Sequence, residues 1–179
     1  SAVVVAVFLS VGTCVFKNYV SPAANGYDLM MNAEMTSETS VITSSCTLTS
    51  DAPSATITFT DTHIIMNGRD SVRIDDSPFN SILVPSGKRA VVRLTDKTRI
   101  ALSEKSRLGI PSSFTSNNRM LYFSGKGSFN VNHDKDHPFL VDASIVKTHV
   151  LGTEFSMNTH PEDDNFASVA LYNGAVEVE

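Results

Sequence analysis

The chain has 179 residues, of which 41% are hydrophobic, and its formal net charge at pH 7 is -5. This length suits one globular domain, which buries roughly two-thirds of the surface that its unfolded chain exposes. Acidic and basic residues are interspersed without a basic stripe, which excludes nucleic-acid binding. The two cysteines, Cys14 and Cys46, are too few for a disulfide framework, and we do not expect a bridge between them.

The N-terminal segment, residues 2–16, carries no charge before Lys17 and is rich in valine. It is shorter than the ~20 residues that span a bilayer core, so we interpret residues 1–17 as part of a transmembrane helix that lacks its first turns. Two alternatives stay open: the core of a cleaved signal peptide, and a buried β-strand, since valine favours strands.

Serine and threonine dominate the segment that follows, with few large apolar side chains up to Ala55. Their hydroxyls compete for backbone hydrogen bonds, and little apolar surface is available to offset the entropy of ordering. We therefore predict an irregular juxtamembrane linker over residues 18–55. An edge strand between Val41 and Leu48 stays open as an alternative.

From Thr56 onward, short strand signals alternate with turn residues, which predicts an all-β domain over residues 56–179, either an antiparallel β-sandwich or a barrel-like fold. Asn67-Gly68 and Asn173-Gly174 predict tight hairpin turns. Only residues 111–114 could open a helical turn. The predicted strands cover residues 56–60, 63–66, 71–74, 81–84, 89–94, 98–102, 120–124, 128–132, 139–141, 145–151, 154–158, 166–171 and 175–178.

Aromatic residues mark the expected core. Phe129 and Phe155 each alternate with polar neighbours, so one face of each strand is predicted to be buried and the other exposed. Together with Phe123 and Phe139 they form the predicted core nucleus, because burying each ring contributes on the order of 1.5–3 kcal/mol before entropy is subtracted.

Two polar segments contain residue types that are found in metal-binding sites. His133-Asp134-Lys135-Asp136-His137 contains metal-ligating side chains, but their spacing suits a helix and they precede Pro138, so we predict a solvated turn. Residues 160–164 are predicted to form an exposed acidic loop, without the ligand pattern of a calcium loop.

Two glycine-containing segments are interpreted as structural. Ser124-Gly125-Lys126-Gly127-Ser128 lacks the first glycine and the helix of a phosphate loop, and we interpret it as a turn or strand start. Gly152-Thr153 is expected to bend the chain and direct Phe155 into the core. No G-x-S-x-G elbow is present. The sequence predicts no catalytic, cofactor-binding or metal-binding residue, and it leaves the partner-binding surface unassigned.

Short motifs recur in a characteristic order from Val84 onward. They are Val84-Pro85-Ser86-Gly87, Thr95-Asp96-Lys97-Thr98, residues 106–114, residues 125–129, Pro138-Phe139-Leu140-Val141, residues 150–155 and residues 171–176. This series resembles the periplasmic domain of the FecR family of sigma-factor regulators, in its Bacteroides-type form. Lys97 replaces the family's turn glycine, Ile110 replaces a tyrosine, and residues 126–128 replace Glu-Ala-Tyr.

The resemblance implies a single-pass inner-membrane anti-sigma factor with this domain in the periplasm. It implies protein partners and neither an enzymatic activity nor a cofactor. An outer-membrane TonB-dependent transporter would signal to the domain, and a cytoplasmic segment would control an extracytoplasmic-function sigma factor. A small α/β domain usually follows this point in the family, so we expect this chain to be a fragment.

Two other classes of function stay open. One is a secreted β-sandwich binding module, such as a carbohydrate-binding domain, although a chain without tryptophan and with four tyrosines offers few rings for a sugar platform. The other is an enzyme on a β-sandwich, which would require a Ser/His/Asp triad assembled from distant positions.

Overall fold

The computed structural model describes residues 26–74, 79–159 and 167–178. This part of the chain contains one short helix and sixteen strands. They are α1 (Gly26–Asn32), β1 (Thr39–Ile42), β2 (Thr47–Ser50), β3 (Ser54–Phe59), β4 (His63–Met66), β5 (Asp70–Arg73), β6 (Phe79–Val84), β7 (Arg89–Arg93), β8 (Arg99–Leu102), β9 (Ser106–Pro111), β10 (Arg119–Ser124), β11 (Lys126–Asn130), β12 (Phe139–Asp142), β13 (Lys147–Val150), β14 (Glu154–Asn158), β15 (Ser168–Asn173) and β16 (Val176–Val178).

The strands form two eight-stranded sheets that face each other across one hydrophobic core. Sheet A has the order β16-β13-β12-β10-β9-β6-β1-β2, and sheet B has the order β15-β14-β11-β8-β7-β3-β4-β5. Over the described residues each sheet keeps two separate edges, so the strands do not close into a barrel. The prediction of an all-β fold is confirmed.

Neighbouring strands are antiparallel except for one pair in each sheet. β10 and β12 run parallel in sheet A, and β3 and β7 run parallel in sheet B. In both cases the chain visits the other sheet between the two strands, and parallel pairing requires such a crossover. The prediction of a purely antiparallel domain is therefore wrong for these two pairs.

The predicted aromatic nucleus occupies the space between the sheets. Phe123 of sheet A meets Phe129 of sheet B edge to face, with ring centroids 5.2 Å apart. Phe129 in turn stacks on Phe155 at 4.8 Å, with an interplanar angle of 7°. All four predicted rings, including Phe139, are fully buried, which confirms this prediction.

Residues 39–50 lie inside the predicted linker, yet they form the hairpin of β1 and β2. β1 pairs with β6 on its other side, which makes the hairpin part of sheet A. Val41 and Leu48 face each other in register and are both buried. The irregular structure predicted from composition is wrong here, because these two apolar side chains hold an otherwise polar hairpin on the core. β2 corresponds to the alternative of an edge strand.

The sequence does not predict β9 as a strand, although it lies between β6 and β10 in sheet A. Its Leu108 and Ile110 are buried in the core. A Cβ at Gly109 would overlap the tip of the Phe79 ring, so glycine lets this ring pack close to β9. An internal glycine and a terminal proline obscure the strand signal because both weaken strand propensity.

The helix α1 has seven residues and packs against β9, β10 and β6. Its Met30 is fully buried. Arg107 of β9 donates hydrogen bonds to the carbonyl oxygens of Met30 (3.2 Å) and Ala33 (2.5 Å), which supplies partners to the end of the helix. Within the described residues, no helix has the length and apolar character to cross a membrane. The predicted transmembrane helix lies outside these residues.

Of the two predicted hairpin turns, the structure confirms one and contradicts the other. Asn67 and Gly68 have φ of 53° and 68° and form the tight turn expected between β4 and β5. The hairpin predicted at Asn173-Gly174 is wrong, since β15 pairs with β14 in sheet B and β16 pairs with β13 in sheet A. The segment is a short crossing between the two sheets.

Cys46 is disulfide-bonded, contrary to our expectation. The chain has one other cysteine, Cys14, which lies outside the described residues.

Candidate protein interface

The segment from His133 to His137 is a loop between β11 and β12. Asp134 accepts a hydrogen bond from the Nδ1 atom of His137 (2.9 Å) and another from the backbone amide of Asp136 (3.0 Å). The His137 bond is the main cause that lowers the pKa of Asp134. Among the described residues there is no cluster of three or more side chains suited to hold a metal ion. The second predicted loop, residues 160–164, lies outside those residues.

A buried ion pair stands beneath this loop. Arg119 at the start of β10 lies 3.4 Å from the carboxylate of Asp96, and the two side chains are 1% and 4% exposed. Asp96 also accepts hydrogen bonds from the Thr98 backbone amide (2.9 Å) and hydroxyl (2.8 Å). The turn between β7 and β8 therefore presents a fixed carboxylate to the arginine.

Arg119 uses its other donors to hold the loop. Its guanidinium donates to the carbonyl oxygens of Asn132 (2.8 Å), Asp134 (3.2 Å) and His137. It also lies 5.6 Å from the centre of the Phe139 ring. The loop therefore has exposed and half-buried side chains, as expected for a solvated turn, on a backbone that Arg119 holds from inside.

The Gly152-Thr153 turn packs against the same loop. The amide of Asp134 donates to the carbonyl oxygen of Leu151 (2.7 Å), and the amide of Val131 donates to that of Thr153 (3.0 Å). Gly152 has a φ of 156°, and a Cβ there would overlap the backbone and ring of His133. The register of β14 against β15 shifts just beyond this turn, between Glu154 and Phe155. The structural role predicted for Gly152 is confirmed.

Thr153 links the turn to the last two strands. Its hydroxyl donates to the carbonyl oxygen of Ala175 at 2.9 Å, in the crossing between β15 and β16. Gly174 has a φ of 98°, and a Cβ there would lie 2.8 Å from the Thr153 hydroxyl oxygen. A continuous series of contacts thus runs from Asp96 through Arg119 and the loop to the crossing.

The crossing joins two strands at the same end of the sandwich, since β16 is an edge of sheet A and β15 an edge of sheet B. The exposed large hydrophobic side chains of the described residues lie on these two edge strands or on either side of β13, the neighbour of β16, and we call this set the apolar end. It consists of Ile145 (55% exposed), Leu151 (43%), Leu171 (44%), Tyr172 (67%) and Val178 (50%). Grouped exposed apolar side chains are typical of protein interaction sites.

A family model described as FecR protein matches residues 80–177, more than half of the chain. The chain belongs to the FecR family. The match includes the Arg119–Asp96 ion pair and the apolar end except Val178. The helix α1 and the strands β1 to β5 precede it.

Two solved structures of a "putative anti-sigma factor" from Parabacteroides distasonis ATCC 8503, at 2.50 and 1.65 Å resolution, are similar to this FecR chain. Both are 32% identical, with TM-scores of 0.53 and 0.52, and the matches cover 56% and 55% of this chain. They cover 47% and 46% of the other chains, so the chain spans about half the length of these relatives. No curated protein matches it.

The departures from the FecR pattern are accommodated locally. Lys97 replaces the turn glycine and adopts a φ of 72° itself. Ile110 points into the core at 2% exposure. Lys126 and Ser128 are exposed on β11, and Gly127 between them lies beneath the Phe123 ring.

Sequence reasoning missed the two main components of this region. The sequence marks Asp96 only as part of a turn motif and gives no signal for Arg119, because an arginine that starts a strand has no sequence pattern that indicates burial. The sequence pattern does not distinguish the exposed side chains of the apolar end from core side chains, because Leu171 and Val178 lie in strands with the same apolar residue types as buried strands.

Proposed function

We propose that this chain is the periplasmic domain of a single-pass inner-membrane regulator of an extracytoplasmic-function sigma factor. An outer-membrane TonB-dependent transporter signals to this domain, and the apolar end is the surface that receives the protein signal. Membership of the FecR family and the likeness to anti-sigma factor structures support a role in sigma-factor regulation. We further propose that the domain has no catalytic activity of its own.

The observation that carries this proposal is that the exposed large apolar side chains of the described residues lie on the edge strands β15 and β16 or beside β13. Burying such side chains against a partner removes apolar surface from water, at about 25 cal/mol per Å². Tyr172 is the single exposed aromatic among these residues, whereas a sugar platform needs several rings. This favours a protein partner over the carbohydrate-binding alternative.

Two measurements on the full-length gene product test the proposal. Alkaline phosphatase fused after Glu179 should be active in cells, because this enzyme needs export, while a β-galactosidase fusion at the same position should be inactive. The opposite pattern would refute the periplasmic location. Deleting the gene should change transcription from promoters of the cognate sigma factor at least fivefold, and unchanged transcription would refute the regulatory role.

A further inference from the structure

β15 is an edge strand of sheet B, and among the described residues one of its sides has no partner strand. It pairs with β14 through Ser168, Val169, Ala170, Leu171 and Asn173. No strand of the described residues pairs with its other side. The amide and carbonyl groups along that side form a row to which a further strand can bind.

The other three sheet edges are shorter or charged. β5, the opposite edge of sheet B, has four residues and carries Asp70 and Arg73. β16 has three residues with Glu177 at its centre. β2 has four residues and lies against β5. Short edges and edge charges protect native sheets from unwanted pairing, and β15, with six residues and neither charge nor proline, lacks this protection.

The side chains of β15 indicate what the added strand must offer. Val169 packs against the core, while Leu171 on the same face is 44% exposed. On the other face, the Tyr172 hydroxyl lies 3.1 Å from the Ser156 hydroxyl oxygen of β14, which holds the ring along the sheet. A segment with apolar side chains at every second position would cover Leu171 and continue the core, because side chains of a strand alternate between faces.

We propose that the free edge of β15 binds an extended segment of the protein partner, which adds a ninth strand to sheet B. This inference rests on the proposed function for the existence of a partner. The segment is uncharged where it faces β15 and apolar at alternate positions. A second copy of this chain is a poorer occupant, because two copies with a charge of -5 each repel one another.

The test uses the full-length regulator in its own bacterium and two matched variants. Ala170→Lys places a charge on exposed β15, and Ser71→Lys places the same charge on exposed β5 of the same sheet. Ala170→Lys should reduce induction of the sigma-dependent promoter at least fivefold, while Ser71→Lys should leave it within twofold. Thermal unfolding of both purified variants should match that of the wild type, which separates lost binding from lost folding.

A photo-crosslinking residue in place of Tyr172 identifies the occupant. Crosslinks to alternate residues of one continuous segment of a partner protein support the inference, together with the effect of Ala170→Lys. Crosslinks to a second copy of this chain overturn it. If Tyr172→Ser and Val178→Ser reduce induction but Ala170→Lys does not, the added strand is refuted while the proposed interface stands. If the gene deletion leaves transcription unchanged, the proposed function itself fails.

Discussion

The Thr153 hydroxyl donates a hydrogen bond to the carbonyl oxygen of Ala175 at 2.9 Å. This contact ties the Gly152-Thr153 turn to the crossing between β15 and β16, so the position of both edge strands depends on a buried threonine. The apolar end is therefore supported from within the domain, and contacts far from it along the chain contribute to its shape.

Replacing Thr153 by valine should lower the free energy of unfolding by about 1 kcal/mol, because one hydrogen bond to the crossing is lost at nearly constant volume. Thr153→Ser keeps the hydroxyl and should lose less. Urea unfolding followed by circular dichroism measures both. An unchanged Thr153→Val variant would show that water replaces the hydroxyl at Ala175 without cost.

The ion pair of Arg119 and Asp96 should tolerate the loss of neither partner. Arg119→Met leaves a buried carboxylate without its cation and three loop carbonyls without their donor, and Asp96→Leu leaves a buried guanidinium without its anion, so each change should cost about 3–5 kcal/mol. The double variant should cost clearly less than the sum, which denaturant unfolding of all four proteins checks. Additive losses would contradict the pairing.

Gly152 should be much less replaceable than Gly68. Gly152→Ala places a Cβ against the backbone of His133, so we expect a loss of at least about 2 kcal/mol from steric overlap and backbone strain. At Gly68 the φ is also positive but the space is open, and Gly68→Ala should cost about 1 kcal/mol. Chemical denaturation of both variants measures the difference.

A second variant sharpens this comparison. Adding His133→Ala to Gly152→Ala should restore little stability, because the overlap involves the His133 backbone as well as its ring. Full recovery in the double variant would show that the ring alone sets the requirement for glycine.

The sequence was sufficient where burial follows from alternation. β4 and β14 have the predicted bounds, and the rings of Phe129 and Phe155 lie where their period of two places them. It was insufficient where tertiary contacts override local preference. β9 contains Gly109, against which the Phe79 ring packs, and β1 is a strand because β6 provides a partner. No local pattern reveals that Arg119 is buried or that β15 is an edge strand among the described residues.

Lys97 should be a site where the family's glycine restores stability. Its φ of 72° costs an L-residue roughly 1–2 kcal/mol, while glycine loses about 0.4–1 kcal/mol through its more flexible unfolded state. Lys97→Gly should therefore raise the free energy of unfolding by about 0.5 kcal/mol. Lys97→Ala removes the exposed charge but keeps the Cβ, and it should change little. A stabilisation by alanine equal to that by glycine would attribute the effect to charge.

The loop carboxylate of Asp134 should make stability depend on pH in the acid range. The hydrogen bond from His137, together with the amides of Asp136 and His137, lowers the pKa of Asp134 in the folded protein below its value in the unfolded chain. Because the pKa is lowered on folding, the stabilisation by the Asp134 carboxylate is fully present above the pKa of the unfolded chain, about 3.9. It is lost as the pH falls through the pKa of the folded protein. Thermal midpoints of the wild type and Asp134→Asn should therefore differ at pH 7 and converge as the pH falls below the folded pKa of Asp134. The other carboxylates titrate in both proteins, so their effects cancel in the difference between the two thermal midpoints. A difference that persists at low pH would show that loop geometry, and not the charge of Asp134, causes the loss of stability.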